Sequence, residues 1–135
     1  MQLHHFTFHD KMGGDNVSDS KLRDMSMDFS VMMIDLVKEL KSKRENIISN
    51  QIGRSGTSIG ANIYEARYAH SRADFAAKLQ IALKEASETG YWIELLYKTE
   101  YIDEKKYNEL NKRCSALRYM LVSSLNTVKN RSSRE

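Results

Sequence analysis

Not one proline interrupts the 135 residues of this chain. Proline breaks helices from within, and all-β plans need turn chemistry every few residues. The chain is therefore suited to long helices with short joints, and its apolar residues show how many. In residues 20–42, Leu22, Met25, Phe29, Met32, Leu36 and Leu40 recur at steps of three and four, along one helix face. Residues 45–69 repeat the pattern with Ile48, Ile52, Gly56, Ile59, Ile63 and Ala66. Ser71 and Asp74 then form a Ser-x-x-Asp variant of the capping box. The third helix that it starts has the seam Phe75, Leu79, Ala82, Ala86, Ile93 and Leu96. Asp103 caps a fourth, with Tyr107, Leu110, Cys114, Leu117, Leu121 and Val128 on its seam. Helices of this length measure about 35–40 Å. Short joints make neighbours antiparallel, so the expected fold is all-α: an up-down-up-down four-helix bundle. A flexible N-terminal tail over residues 1–18, the bundle over 19–130 and a short C-terminal tail over 131–135 complete the expected organisation.

A chain with 41% hydrophobic and 29% charged residues is globular rather than disordered. Its most apolar run, residues 31–37, is broken by Asp35 and falls far short of the roughly 20 residues a membrane span needs. No basic start followed by an apolar stretch suggests secretion. Cys114 is the single cysteine and has no intrachain disulfide partner, so a reducing cytoplasm is the expected compartment. Met12 could serve as the natural start in place of Met1. His4, His5 and His9 could share a metal, but no cluster of Cys, Asp or Glu completes a site, and unpaired imidazoles on a loose tail are expected.

The stretch QIGRSGTSIGANIYEA, residues 51–66, places Gly53, Gly56 and Gly60 close together. Neither phosphate-binding pattern fits: no Lys-Ser/Thr follows the glycines, and Gly-x-Gly-x-x-Gly is absent. Steps of three and four put all three on one side of a helix. Each costs a helix interior about 0.8–1 kcal/mol relative to alanine, and close approach of another backbone is the expected compensation. A local bend in the second helix is the alternative.

The same stretch carries a family resemblance. Ser58 to Glu65 (Ser-Ile-Gly-Ala-Asn-Ile-Tyr-Glu), then Ser-Arg-Ala-Asp-Phe at 71–75 and Leu-Gln-Ile-Ala-Leu-Lys-Glu-Ala at 79–86 resemble the bacterial four-helix-bundle proteins encoded within intervening sequences of 23S ribosomal RNA genes. The likeness covers about residues 21–128, with Ser58, Asn62 and Glu65 as its motif positions. Gly60 stands where proline is frequent, and Ala66 where glycine is. The resemblance implies a small cytoplasmic bundle of poorly defined role. A related branch, the accessory protein of diversity-generating retroelements, is a five-fold ring that binds nucleic acid and a reverse transcriptase.

Enzymatic chemistry finds little footing. Glu65, Glu85, Glu88 and Glu94 fall on the two central helices, but di-iron bundles pair such glutamates with Glu-x-x-His motifs. None occurs here, and His70 is the one histidine outside the tail. Asn62 and Glu65 are expected to tie helices together or meet a neighbouring subunit. Cys114 lies on an apolar seam, where a small hydrophobe is the default, and His70 has no evident Asp partner. No catalytic residue, metal or cofactor is expected.

Basic residues give the positive signal. Residues 105–134 hold eight Lys and Arg against one acid, Glu109. Lys112, Arg113, Arg118, Lys129 and Arg131 lie off the seam of the fourth helix, and Arg67, Tyr68 and Arg72 add an aromatic-basic cluster near the joint of helices two and three. Such surfaces attract phosphate backbones; a solvated helix face is the plain alternative. Apolar residues off the seams, Ile81, Trp92 and Leu95 on the third helix with Met27, Ile34, Tyr119 and Val122 elsewhere, point to self-association. A ring-like homopentamer is the form the resemblance implies. The expected function is thus non-enzymatic, oligomeric binding of structured RNA or DNA. The competing reading is a structural or protein-partner adaptor with no nucleic-acid role.

Overall fold

The computed structural model describes residues 17–133. They form four helices: α1, Val17–Ser42; α2, Ile47–Ala66; α3, Arg72–Lys98; and α4, Glu104–Ser133. Contacts across the seams fix their directions. Gly53, Gly56 and Gly60 meet Val37, Met33 and Ser26 in turn, so α1 and α2 run opposite ways. Ser55 pairs with Thr89 and Glu65 with Lys78 across α2 and α3. The Cys114 thiol meets the Ala86 carbonyl across α3 and α4. The result is an antiparallel four-helix bundle, closed where α1 meets α4 by a smaller contact than the other three. No described helix is long and apolar enough to cross a membrane.

The seams become one core. Leu22, Phe29, Leu36, Ile52, Ile59, Leu79, Ile93, Leu96, Leu110, Leu117 and Leu121 are all buried in it. Met33 takes the interior place that the spacing gives to Met32, which packs only at the core's edge. Thr89 is also fully buried. Its hydroxyl lies 2.8 Å from Ser55 Oγ and donates over the same distance to the Glu85 carbonyl, so a polar pair sits between α2 and α3 without an unmet group.

Three joints end the helices by two devices. At α1 the Glu45 N–H bonds to the Leu40 carbonyl and the Arg44 N–H to that of Lys41, with Arg44 left-handed at φ 63°. At α3 Tyr101 bonds to Leu96 and Glu100 to Tyr97, with Glu100 at φ 65°. Both are Schellman closures with a charged residue where glycine is usual. By contrast, α2 ends in a run of tight turns, each N–H reaching back three residues, from Arg67 to Tyr64, Tyr68 to Glu65 and Ala69 to Ala66. The second helix therefore stops at Ala66, short of residue 69. It also starts two residues after residue 45, because the buried Glu45 carboxylate stands before it and accepts from the N–H groups of Ile47, Ile48 and Ser49 at 2.7–3.1 Å. Burial alone would raise the pKa of Glu45, but these backbone bonds outweigh it and hold the group below its ordinary value.

Candidate nucleic-acid interface

Antiparallel order gives the bundle two unlike ends. One holds the α1–α2 and α3–α4 joints. The other holds the α2–α3 joint beside the start of α1 and the end of α4, and this second end collects basic and aromatic groups.

The α2–α3 joint is built locally. Ser71 Oγ accepts from the Asp74 N–H at 3.1 Å, and the Asp74 carboxylate returns a bond to the His70 N–H at 3.1 Å. This capping pair starts α3 with Arg72 in its first turn. Across the joint, Tyr64 and Tyr68 are four residues apart and share one side of the α2 terminus. Their rings lie 5.7 Å apart at 53°, with 58% and 47% of their surfaces exposed. A hydrogen bond with the Tyr64 hydroxyl pushes the Tyr68 phenol above its ordinary value, while Arg67 and Arg23 act the other way. Arg23 and Arg67 also flank one small cleft with Asp19, over an apolar floor that includes Leu22, Ile63 and Phe75. The last turns of α4 carry Lys129 and Arg131 to the same end, both exposed. Arg67, Arg72, Lys129 and Arg131 are thus gathered from three elements. The sequence does not single out Arg23; its place opposite the α2 terminus emerges only once α1 and α2 are aligned.

The remaining basic positions on α4 do not form one stripe. The Arg118 guanidinium lies over Gly90 of α3, 3.8 Å from where a β-carbon would stand there, and donates to Ser115 Oγ at 3.1 Å. Lys129, about three turns further on, falls in line with it on the α3 flank. Arg113 and Arg131, about five turns apart, share the opposite flank. Lys112 points outward between the two lines. Between residues 119 and 128 the outer face of α4 carries no charge. Tyr119, Val122, Ser123, Asn126, Thr127 and Asn130 line an open depression there.

The glycine face meets α1. A β-carbon on Gly56 would stand 2.5 Å from Met33 Cγ, one on Gly53 3.1 Å from Val37, and one on Gly60 3.1 Å from Ser30 Oγ. Of the motif positions, Ser58 and Asn62 bond back along α2, to the Arg54 and Ser58 carbonyls, and Glu65 pairs with Lys78 of α3 at 3.0 Å. On α3, Ile81 is exposed, whereas Trp92 and Leu95 are half-buried against the core.

Carboxylates on the central helices face outward into ion pairs. Arg54 bridges Glu85 and Glu88, and Glu88 also accepts from the Trp92 indole at 3.0 Å. The indole bond is the main influence that lowers the Glu88 pKa, and Arg54 adds to it. Glu94 pairs with Lys98. Among the described residues no three of His, Cys, Asp and Glu are grouped to hold a metal ion; His4, His5 and His9 lie outside those residues. Burial pushes the Cys114 thiol up to about 11, far from the range of a reactive thiolate. The opposite end of the bundle holds an open cleft of about 700 Å³ lined by Glu39, Lys43, Glu100, Asp103, Lys105, Lys106 and Glu109 among others. Its charges are mixed in sign.

Comparison with known proteins adds a family. Residues 18–123 match the 23S rRNA-intervening sequence protein family. A crystal structure of a protein of unknown function from the S23 ribosomal protein family of Bacteroides thetaiotaomicron VPI-5482 is similar, with 48% sequence identity and a TM-score of 0.80. That match covers 82% of this chain and 99% of the other. No curated protein matches the chain.

Proposed function

The chain belongs to the 23S rRNA-intervening sequence protein family, and on that premise we propose that it is a non-enzymatic, oligomeric protein that binds nucleic acid. The surface we assign to this role is the end of the bundle where the α2–α3 joint meets the last turns of α4. One observation carries the reading: the antiparallel order brings Arg67, Arg72, Lys129 and Arg131 from separate elements to one end of the bundle, where Tyr64 and Tyr68 are also exposed. A cluster of this kind raises the local concentration of phosphates, and repetition around a ring would multiply it. Lys112, Arg113 and Arg118, on three different faces of α4, serve as secondary contacts.

Self-association is part of the same reading. Met27, Val31 and Ile34 on α1, Ile81 on α3, and Tyr119 and Val122 on α4 are exposed apolar groups, more than a monomer needs. A homopentamer is the proposed form, with Ile81, Trp92 and Leu95 at the contact between copies. Light scattering tests it: a mass near 15.6 kDa at micromolar concentration contradicts self-association, and a dimer contradicts only the five-fold ring.

Gel shifts with structured RNA and with duplex DNA over a series of salt concentrations test the binding. Affinity for at least one of them is expected to fall steeply as salt rises, as counterion release requires. Absence of binding at low salt would favour the protein-partner adaptor instead.

A further inference from the structure

We propose that Tyr64 and Tyr68 form a stacking platform for unpaired bases, so that the nucleic acid this protein takes at its basic end is single-stranded. The inference rests on the nucleic-acid reading above and narrows it to a substrate class.

Three observations lead there. First, the two rings are presented rather than packed: each keeps about half of its surface exposed, at 58% and 47%. Neither belongs to the core nor to the partly buried hydrophobics packed against it. Second, their tilt of 53° at 5.7 Å leaves each ring an outward flank. Third, cations lie near from two elements: Arg23 of α1 and Arg67 beyond the α2 terminus act electrostatically on Tyr68 and share one small cleft at that terminus. Aromatic faces next to a basic groove are what single-strand binders present, because every base has a π-face and every nucleotide a phosphate. Paired bases are stacked on each other within a duplex and cannot reach such a platform.

The arrangement also fits the α2 terminus. The tight turns from Tyr64 to Ala69 close α2 with Tyr68 one turn beyond Tyr64 and its ring against it. The ion pair between Glu65 and Lys78, with N···O 3.0 Å, engages the acid that stands between the tyrosines in sequence. Asp74, at the same joint, is held by the His70 N–H. Asp19 is the acid that shares the cleft with Arg23 and Arg67.

Fluorescence anisotropy on the full chain tests the proposal, with labelled oligouridylate, oligothymidylate and matched RNA and DNA duplexes as probes. The parent should prefer single strands, and the two single-stranded probes show whether the sugar matters. Tyr64→Ala with Tyr68→Ala should lower single-strand affinity about tenfold or more, as loss of base stacking does, and leave duplex affinity unchanged. Tyr64→Phe with Tyr68→Phe should restore most of the loss, because the ring and not the hydroxyl acts. Circular dichroism establishes that both variants keep their helices. Equal losses on single strands and duplexes, or no loss on either, overturn the platform while nucleic-acid binding stands. A double-alanine variant that changes mass in light scattering but keeps its single-strand affinity would assign the rings to a contact between copies and overturn it too. No binding of any probe by the parent overturns the nucleic-acid reading itself.

Discussion

The two ends of this bundle are made from the same kinds of residue and use them in opposite ways. At the end with two joints, charge serves the backbone. Glu45 caps α2, Asp103 Oδ1 accepts from the Lys106 N–H at 2.8 Å, and Lys43 donates both to Glu39 and to the Tyr101 carbonyl. Tyr97 and Tyr107 stack on each other there, 4.6 Å apart at 26°. At the end with one joint, Tyr64 and Tyr68 are exposed and the basic groups outnumber the acids. The two-joint end ties its polar groups into caps and pairs, whereas at the one-joint end two tyrosines stay exposed beyond the single Ser71–Asp74 cap.

Stability variants test whether the ends differ in this sense. The largest effect is expected in the rod that connects them. Gly56→Leu drives a side chain into the buried Met33 and should destabilise by about 3 kcal/mol, within the range of overpacking. Unchanged thermal unfolding would remove the glycine contact as the reason α1 and α2 lie so close.

Next comes Glu45. Glu45→Ala leaves the first N–H groups of α2 without their acceptor and should cost about 1–2 kcal/mol near neutral pH, read by urea unfolding. Because the folded pKa lies below the ordinary 4.5, the stabilisation is fully present above that pH and disappears as pH falls through the folded value. The gap between parent and variant should therefore close on acidification. A gap independent of pH would mean that packing, not the carboxylate, does the capping.

The smallest effect has the opposite sign. Arg44→Gly and Glu100→Gly relieve left-handed backbone at the two Schellman closures and should each stabilise by about 0.5–1 kcal/mol. A loss of stability in either variant would show that the charged side chain itself holds the joint.

Much of this is legible in the sequence. Spacing marks out the four seams, and the Ser71 and Asp103 caps are readable because capping is a local contest between a side chain and nearby N–H groups. The Arg44 and Glu100 closures are not, since neither residue is the glycine that usually marks a left-handed C-terminus. Spacing puts Met32 on the seam in place of Met33 because the two fit the period almost equally, and only the gap at Gly56 decides between them. At the candidate site, Arg67 and Arg72 can be named from their cluster. Arg23 cannot, for its nearness depends on how two helices align over their whole length.

The claim that the one-joint end is the nucleic-acid surface has a direct measurement: affinity for a single-stranded RNA against salt, for the parent and two variants of matched charge. Arg67→Glu with Lys129→Glu should weaken binding at least tenfold and flatten the salt dependence by about 0.7 in logarithmic slope for each phosphate no longer neutralised. Lys105→Glu with Lys106→Glu, at the two-joint end, should leave both affinity and slope close to the parent's. Equal weakening by the two variants would mean that net charge alone attracts the strand, and the contrast between the ends would carry no function.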